Sequence, residues 1–336
     1  MTGPRRTSPL RPSALMERWQ SFWFLPEPAY TLGLIRIAFG VLAIAWGVSL
    51  LPDLFELFGK NGVAPRQLAD PYAWGLFEYW TSDRALLIGC IALVVAAIAM
   101  TVGWHSRLAA LVVFVLILSF QHRNPAVFNS GDVVVRIEAL ILALSPCGAA
   151  LSLDQRRRTG TFWSGQLRAP WTLRLLQLQL SVIYLGSVRS KMSGDTWPRG
   201  TAVSYALRLE DMLILHTPHW VTANALLMNV ATWGTLTLEL ALGILVWNRR
   251  LRPWVLAAGV LMHIGIMLTM NVGFFTPAMF VLYLAFVSPE TVRRLPTDIA
   301  LLAARRSVLA RRRKPADQVA CPTDSTEQWS TPGLLR

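Results

Sequence analysis

Long apolar runs alternate along the chain with short polar connections. The runs fall at about 29–51, 85–103, 106–121, 132–147, 172–190, 229–247, 253–270 and 273–288. Each is near the roughly 20 residues that an α-helix needs to cross a bilayer. The fourth is short, and only Asn271 and Val272 separate the last two. The pattern predicts an all-α fold: a polytopic transmembrane helical bundle of about eight spans. Residues 25–290 form the transmembrane domain, residues 1–24 a basic N-terminal tail, and residues 291–336 a basic tail expected to be disordered.

Composition agrees. Of 336 residues, 54% are hydrophobic and 15% charged, with a mean hydropathy of +0.43. A soluble domain carries about a quarter charged residues. The net charge of +13 could suggest nucleic acid, but the basic residues cluster beside apolar runs and not along one soluble face. Membrane topology produces that clustering, so no nucleic-acid partner is expected. The start, MTGPRRTSPLRPSALMERWQ, has no cleavable leader pattern.

Lys and Arg also set the orientation. Arg5, Arg6, Arg11 and Arg18, then Arg107, then Arg156, Arg157, Arg158 and Arg168, then Arg249, Arg250 and Arg252, then the C-terminal tail all fall on one side of an eight-span chain. That side is cytoplasmic, with both termini in it, in a multi-pass protein of the cell membrane surrounded by lipid. The loops QHRNPAVFNSGD and KMSGDTWPRG lie together on the opposite side. Cys90 is expected near the outer side and Cys147 and Cys321 on the inner, so no disulfide framework is expected.

Ionisable residues inside the runs are Arg36, Asp132, Arg136, Glu138, Glu239 and His263. Such groups mark function or structural pairs. Asp132 and Arg136 share a helix face four residues apart, and the acid also suits a helix N-terminus. Either they lock the helix as a structural pair or Asp132 orients a catalytic neighbour. Arg36 needs a carboxylate or carbonyls, with Glu138 and Glu239 as candidate partners. Arg36, Arg136, Glu138 and Glu239 are read as structural. His122 could bind a polar ligand head, shuttle a proton, or sit at the interface bonded to backbone. His263 reads as lying towards the inner half of its run and is the weaker candidate. His216 and His219 lack companion ligands, so no metal site is expected.

Lys191 ends an apolar helix in YLGSVRSKMSGDTW. It is either a headgroup anchor or an amine held half-buried for chemistry. Gln177, Gln179, Ser181 and Tyr184 make the preceding helix a bundle-lining one. The SGDTW turn is expected to fold back over the lysine, and burial there would favour the neutral amine that a base requires.

The stretch YLGSVRSKMSGDTWPRGTAVSYAL resembles the lysine-containing segment of the vitamin K-dependent gamma-carboxylase family. The wider chain, at about residues 25–290, is similar to the HTTM proteins that share that family's membrane domain, through LIRIAFG, QHRNPAVFNSGD and HIGIMLTMNVGFF. The resemblance implies a carboxylase-like or epoxidase-like enzyme that uses reduced vitamin K or menaquinol as co-substrate. Lys191 matches the base that deprotonates the hydroquinone, and His122 falls on the loop with a functional histidine. Asn124, Asp132, Tyr184 and Trp197 are the candidate quinone-binding positions around them. A peptide or protein would be the carboxyl acceptor. The mammalian-type carboxylases carry a large extracytoplasmic part after the membrane domain; here a basic tail expected to be cytoplasmic and disordered follows it. The alternative is a non-enzymatic membrane protein that binds a quinone or lipid, or assists maturation or export of a partner peptide. A secondary transporter fits least, because no broken run recurs at matching positions in two halves.

Overall fold

The computed structural model describes residues 12–63, 74–163 and 165–295. Every one of the eight apolar runs contains a helix. These are α2 (Tyr30–Ser49), α5 (Asp83–Val102), α6 (Ser106–Arg123), α7 (Ser130–Leu144), α9 (Trp171–Met192), α12 (Ala225–Ile244), α13 (Arg252–Thr269) and α14 (Phe275–Leu284). Short helices join them: α1 (Pro12–Phe24), α3 (Leu54–Phe58), α4 (Leu76–Tyr79), α8 (Leu153–Thr159), α10 (Ala202–Ala206) and α11 (His219–Thr222). The described residues also hold a two-residue antiparallel pair, β1 (Glu27–Pro28) with β2 (Leu167–Arg168).

Among the described residues, five helices are long and apolar enough to cross a membrane: α2, α5, α6, α12 with its 3-10 extension to Trp247, and α13. A sixth is counted if α14 and the bent helix after it are one span. The expected eight are therefore helices, but not all of them qualify alone. α7 has 15 residues and α14 has 10, so at 1.5 Å per residue they reach about 22 and 15 Å, short of a ~30 Å hydrocarbon core. α9 has the length, but Arg174, Arg189 and Lys191 make it polar.

The outside of the bundle is apolar. On α5, Leu86, Leu93, Ala97 and Met100 are buried, while Ile88, Ile91, Val95 and Ile98 are exposed. Both faces of that helix are greasy, which suits lipid on one side and protein on the other. α2 packs on α5, α7 and α14; α6 packs on α5 and α7; and α9 packs on α12, α14 and α7. Trp46 and Phe128 stack at 5.5 Å, and Phe58 meets Phe120 edge-on at 5.4 Å, filling the space under the α2–α3 connection.

Arg36 is fully buried and donates to the backbone carbonyls of Met100, at 3.1 Å, and Leu151. Of the two alternatives, carbonyls and not the candidate acids Glu138 and Glu239 meet it. The carbonyls suffice because the α5 C-terminus leaves Met100 O near and Leu151, at φ 50, turns its carbonyl inward. Gly103 ends α5 with φ 76, and a side chain there would strike the Arg36 guanidinium and Ser152. At the next turn Asp154 of α8 accepts from His105 N (2.9 Å), Ser106 N (2.8 Å) and Ser106 Oγ (2.8 Å). That clamp fixes α8 to the start of α6. Cys90 and Cys147 are free, and Cys321 lies outside the described residues.

Candidate functional site

α9 turns one polar stripe inward. Thr172, Leu173, Leu176, Gln177, Leu180, Ser181 and Tyr184 are its buried positions, at helical spacing. Gln177 donates to Ala285 O at 2.7 Å, and Ser181 accepts from the Trp247 indole at 2.9 Å. Two turns beyond Tyr184 the same helix delivers Lys191.

Lys191 pairs with Glu239 of α12. The lysine side chain keeps 22% of its exposure and the acid 8%. Ser187, one turn before the lysine, donates to the other carboxylate oxygen at 3.1 Å. Trp197 lies over the ammonium, 4.4 Å from ring centroid to Nζ. The chain reaches that position because residues 193–200 fold into successive turns, closing on Gly200 at φ 73. A half-buried ammonium is thus met by a carboxylate on one side and an aromatic face on the other.

Deeper in the bundle, the Tyr184 hydroxyl bonds to His263 Nε2 at 2.8 Å and to the Tyr283 hydroxyl. His263 is buried among Phe275 (5.6 Å), Phe280 (6.1 Å) and Tyr283 (6.0 Å), and its Nδ1 has no partner among the described residues. The four helices α9, α12, α13 and α14 therefore bring an ion pair, two phenols and an imidazole together inside an aromatic wall.

The second group of expected site residues surrounds the N-terminus of α7. Asp132 accepts from the Trp46 indole at 2.8 Å, and through its other oxygen from Asn129 N at 2.8 Å, completing a capping box. Arg136 points elsewhere: it donates to His122 Nε2 at 3.1 Å. With that nitrogen accepting, Nδ1 carries the hydrogen, which goes to Trp74 O at 2.7 Å. Asn124 is buried and donates to Leu57 O at 2.7 Å. The expected Asp132–Arg136 pair is thus replaced by two separate links, because the capping box and an indole take both carboxylate oxygens. Glu138 is fully buried, and its oxygens meet no hydrogen-bond donor among the described residues.

A family model of the HTTM domain matches residues 24–290. The chain belongs to the HTTM family. This is the membrane domain found in vitamin K-dependent carboxylase. A search of the curated proteins and a search of the solved structures return no match.

Packing within the HTTM domain settles two points that the sequence leaves open. Glu239 is the counter-ion of Lys191, not of Arg36. His263, the weaker candidate by sequence, reaches Tyr184, two turns from Lys191. Tyr283 and Ser187 were not singled out by the sequence. A polar residue in an otherwise apolar run was their one signal, and Tyr283 within FVLYLAF carries it.

Proposed function

We propose that this HTTM protein is a quinol-dependent membrane enzyme, carboxylase-like or epoxidase-like, with Lys191 as base and Glu239 as its proton partner. The observation that carries the reading is the Lys191–Glu239 pair under Trp197 inside a family defined by a carboxylase membrane domain. Movement of one proton along the hydrogen bond frees the amine. The amine then takes the hydroxyl proton of a bound hydroquinone, leaving an ammonium and a quinol anion.

The surroundings fit an aromatic diol. Phe275, Phe280 and Tyr283 offer ring faces, Trp197 caps the lysine, and the Tyr184–His263 pair supplies hydrogen-bonding groups. Reduced vitamin K or menaquinol with dioxygen supplies the strong base that carboxylation of a peptide or protein glutamate demands. This chain's part is to bind the ring, hold the proton at Lys191 Nζ or Glu239, and exclude water.

The same reading includes the eight-crossing topology in the cell membrane, with both termini cytoplasmic. α7, α9 and α14 are the polar or short helices that complete it. They pack against each other, and α7 and α14 also pack on α2, so neighbouring helices cover them. A binding-only protein, taking a quinone or lipid or serving a partner peptide, is favoured by one observation: the ion pair satisfies both charges and could be a strut between α9 and α12. The deciding experiment supplies reduced menaquinone or vitamin K, dioxygen and bicarbonate to protein in nanodiscs and looks for epoxide by chromatography. Lysine-dependent epoxide supports the enzyme. Bound quinol without epoxide favours the binding protein.

A further inference from the structure

A cavity of about 540 Å³ opens at the end of the bundle where α6 begins. α9 runs from β2, which borders this cavity, to Lys191, and its 22 residues extend about 33 Å. The cavity is therefore remote from the lysine site, and nothing proposed for that site depends on it.

Four arginines line the wall: Arg107 at the start of α6, Arg157 and Arg158 on α8, and Arg168 in β2. Asp154 is the acid among them, and its oxygens are already taken by His105 and Ser106. Four positive charges and one negative leave +3 on the lining. Arg107, Arg157 and Arg158 have no carboxylate partner among the described residues. Arginines at the edge of a membrane protein are ordinary topology signals. These differ in converging from three segments onto one concave surface with a fixed floor. Asp154 ties two of those segments together. Gly148 allows their close approach, since a side chain there would come within 2.7 Å of Ser106 Oγ.

The lining is not wholly polar. Leu108 belongs to it and is 62% exposed, on a helix apolar enough to cross a membrane. Trp104 and Trp163, close in sequence to the lining on either side, are also exposed. Indole rings of this kind sit at the level of lipid headgroups. The cavity thus joins a cationic wall to a lipid-facing helix. A free anion would use only the first; a phospholipid would use both.

We propose that this cavity binds the phosphate headgroup of an anionic membrane phospholipid. The guanidinium forks of Arg107, Arg157 and Arg158 grip the phosphate oxygens, and one acyl chain lies along Leu108. The selectivity for an anionic headgroup comes from the +3 lining, which a zwitterionic headgroup answers only in part.

The test is native mass spectrometry of the full chain in detergent, titrated with phosphatidylglycerol or phosphatidylcholine. Two double variants lose the same charge: R157Q/R158Q in the cavity and R249Q/R250Q at exposed positions outside it. Phosphatidylglycerol affinity is expected to fall about tenfold in the first and stay within about twofold of wild type in the second. Equal falls in both, or no fall in either, overturn the site. Arg107→Gln, on a different helix, repeats the test should the α8 double variant fail to elute as a folded monodisperse species. Inorganic phosphate added to protein in phosphatidylcholine nanodiscs is expected to leave the melting temperature unchanged. A phosphate-induced rise that R157Q/R158Q removes would make the ligand a soluble anion and overturn the lipid assignment.

Discussion

Lys191 on α9 and Glu239 on α12 face each other as an ion pair in which the acid, at 8% side-chain exposure, is the more deeply buried partner. Neither helix could sit comfortably among apolar neighbours with its charge unmet. The pair therefore does structural work whatever its chemistry. It ties the helix that carries the polar stripe to the helix that closes the bundle beside it.

Breaking the pair from one side should cost more than deleting it. Lys191→Met or Glu239→Gln each leave one buried partner without its counter-charge, and each should lose about 3 kcal/mol of stability. Lys191→Met with Glu239→Leu should recover most of that loss. Melting temperatures of the four proteins in one detergent decide it. A double variant as unstable as the sum of the singles would mean that the two side chains act independently.

Activity separates the base from the strut. Lys191→Arg keeps the positive charge and the pairing with Glu239, so the fold should be retained. A guanidinium does not give up its proton in proteins, so quinol turnover should drop by at least about a hundredfold. Epoxide formation at the wild-type rate by this variant would remove Lys191 from the role of base. Glu239→Gln should lower turnover as well, and unlike Lys191→Arg it should also lower the melting temperature.

Much of the bundle is legible in the sequence. Eight apolar runs become eight helices, and the short fourth run becomes the 15-residue α7. Continuous hydrophobicity is a local property, so it survives without knowledge of neighbours. Partner choice is not local. Arg36 could be assigned a carboxylate because Glu138 and Glu239 were the acids within other runs; the carbonyls of Met100 and Leu151 are invisible until the α5–α6 turn and the loop after α7 are placed. Asp132 and Arg136 had the spacing of a helical pair, yet an indole from α2 and a histidine from α6 claim them separately. The role of His263 is non-local for a related reason. Its bond to Tyr184 depends on how α13 meets α9, which no property of either run alone specifies.

The Trp46–Asp132 bond should be measurable alone. Trp46→Phe keeps the aromatic packing against Phe128 while removing the indole donor. A loss of about 1–2 kcal/mol is expected, because one buried carboxylate oxygen is left without its partner. Asp132→Ala removes that bond and the α7 capping box together and should cost about 1 kcal/mol more. Similar losses in the two variants would mean that the cap contributes little.

Asp154 makes stability depend on pH in the acid range. Burial works to raise its carboxyl, but the bonds from Ser106 and His105 outweigh burial and hold it below the usual carboxylate range. A carboxyl lowered in the folded state binds its proton more weakly there than in the unfolded chain. Its stabilising contribution is therefore complete above the unfolded value of about 3.9 and is lost as pH falls through the lower folded value. Melting temperature followed from pH 6 downward should show a decline in wild type that Asp154→Asn lacks. The variant should start lower, because an amide cannot accept all three bonds as the carboxylate does, and the two curves should converge at the acid end. Parallel curves would mean that another acid sets the pH dependence and that the clamp between α8 and α6 does not rest on the charge of Asp154.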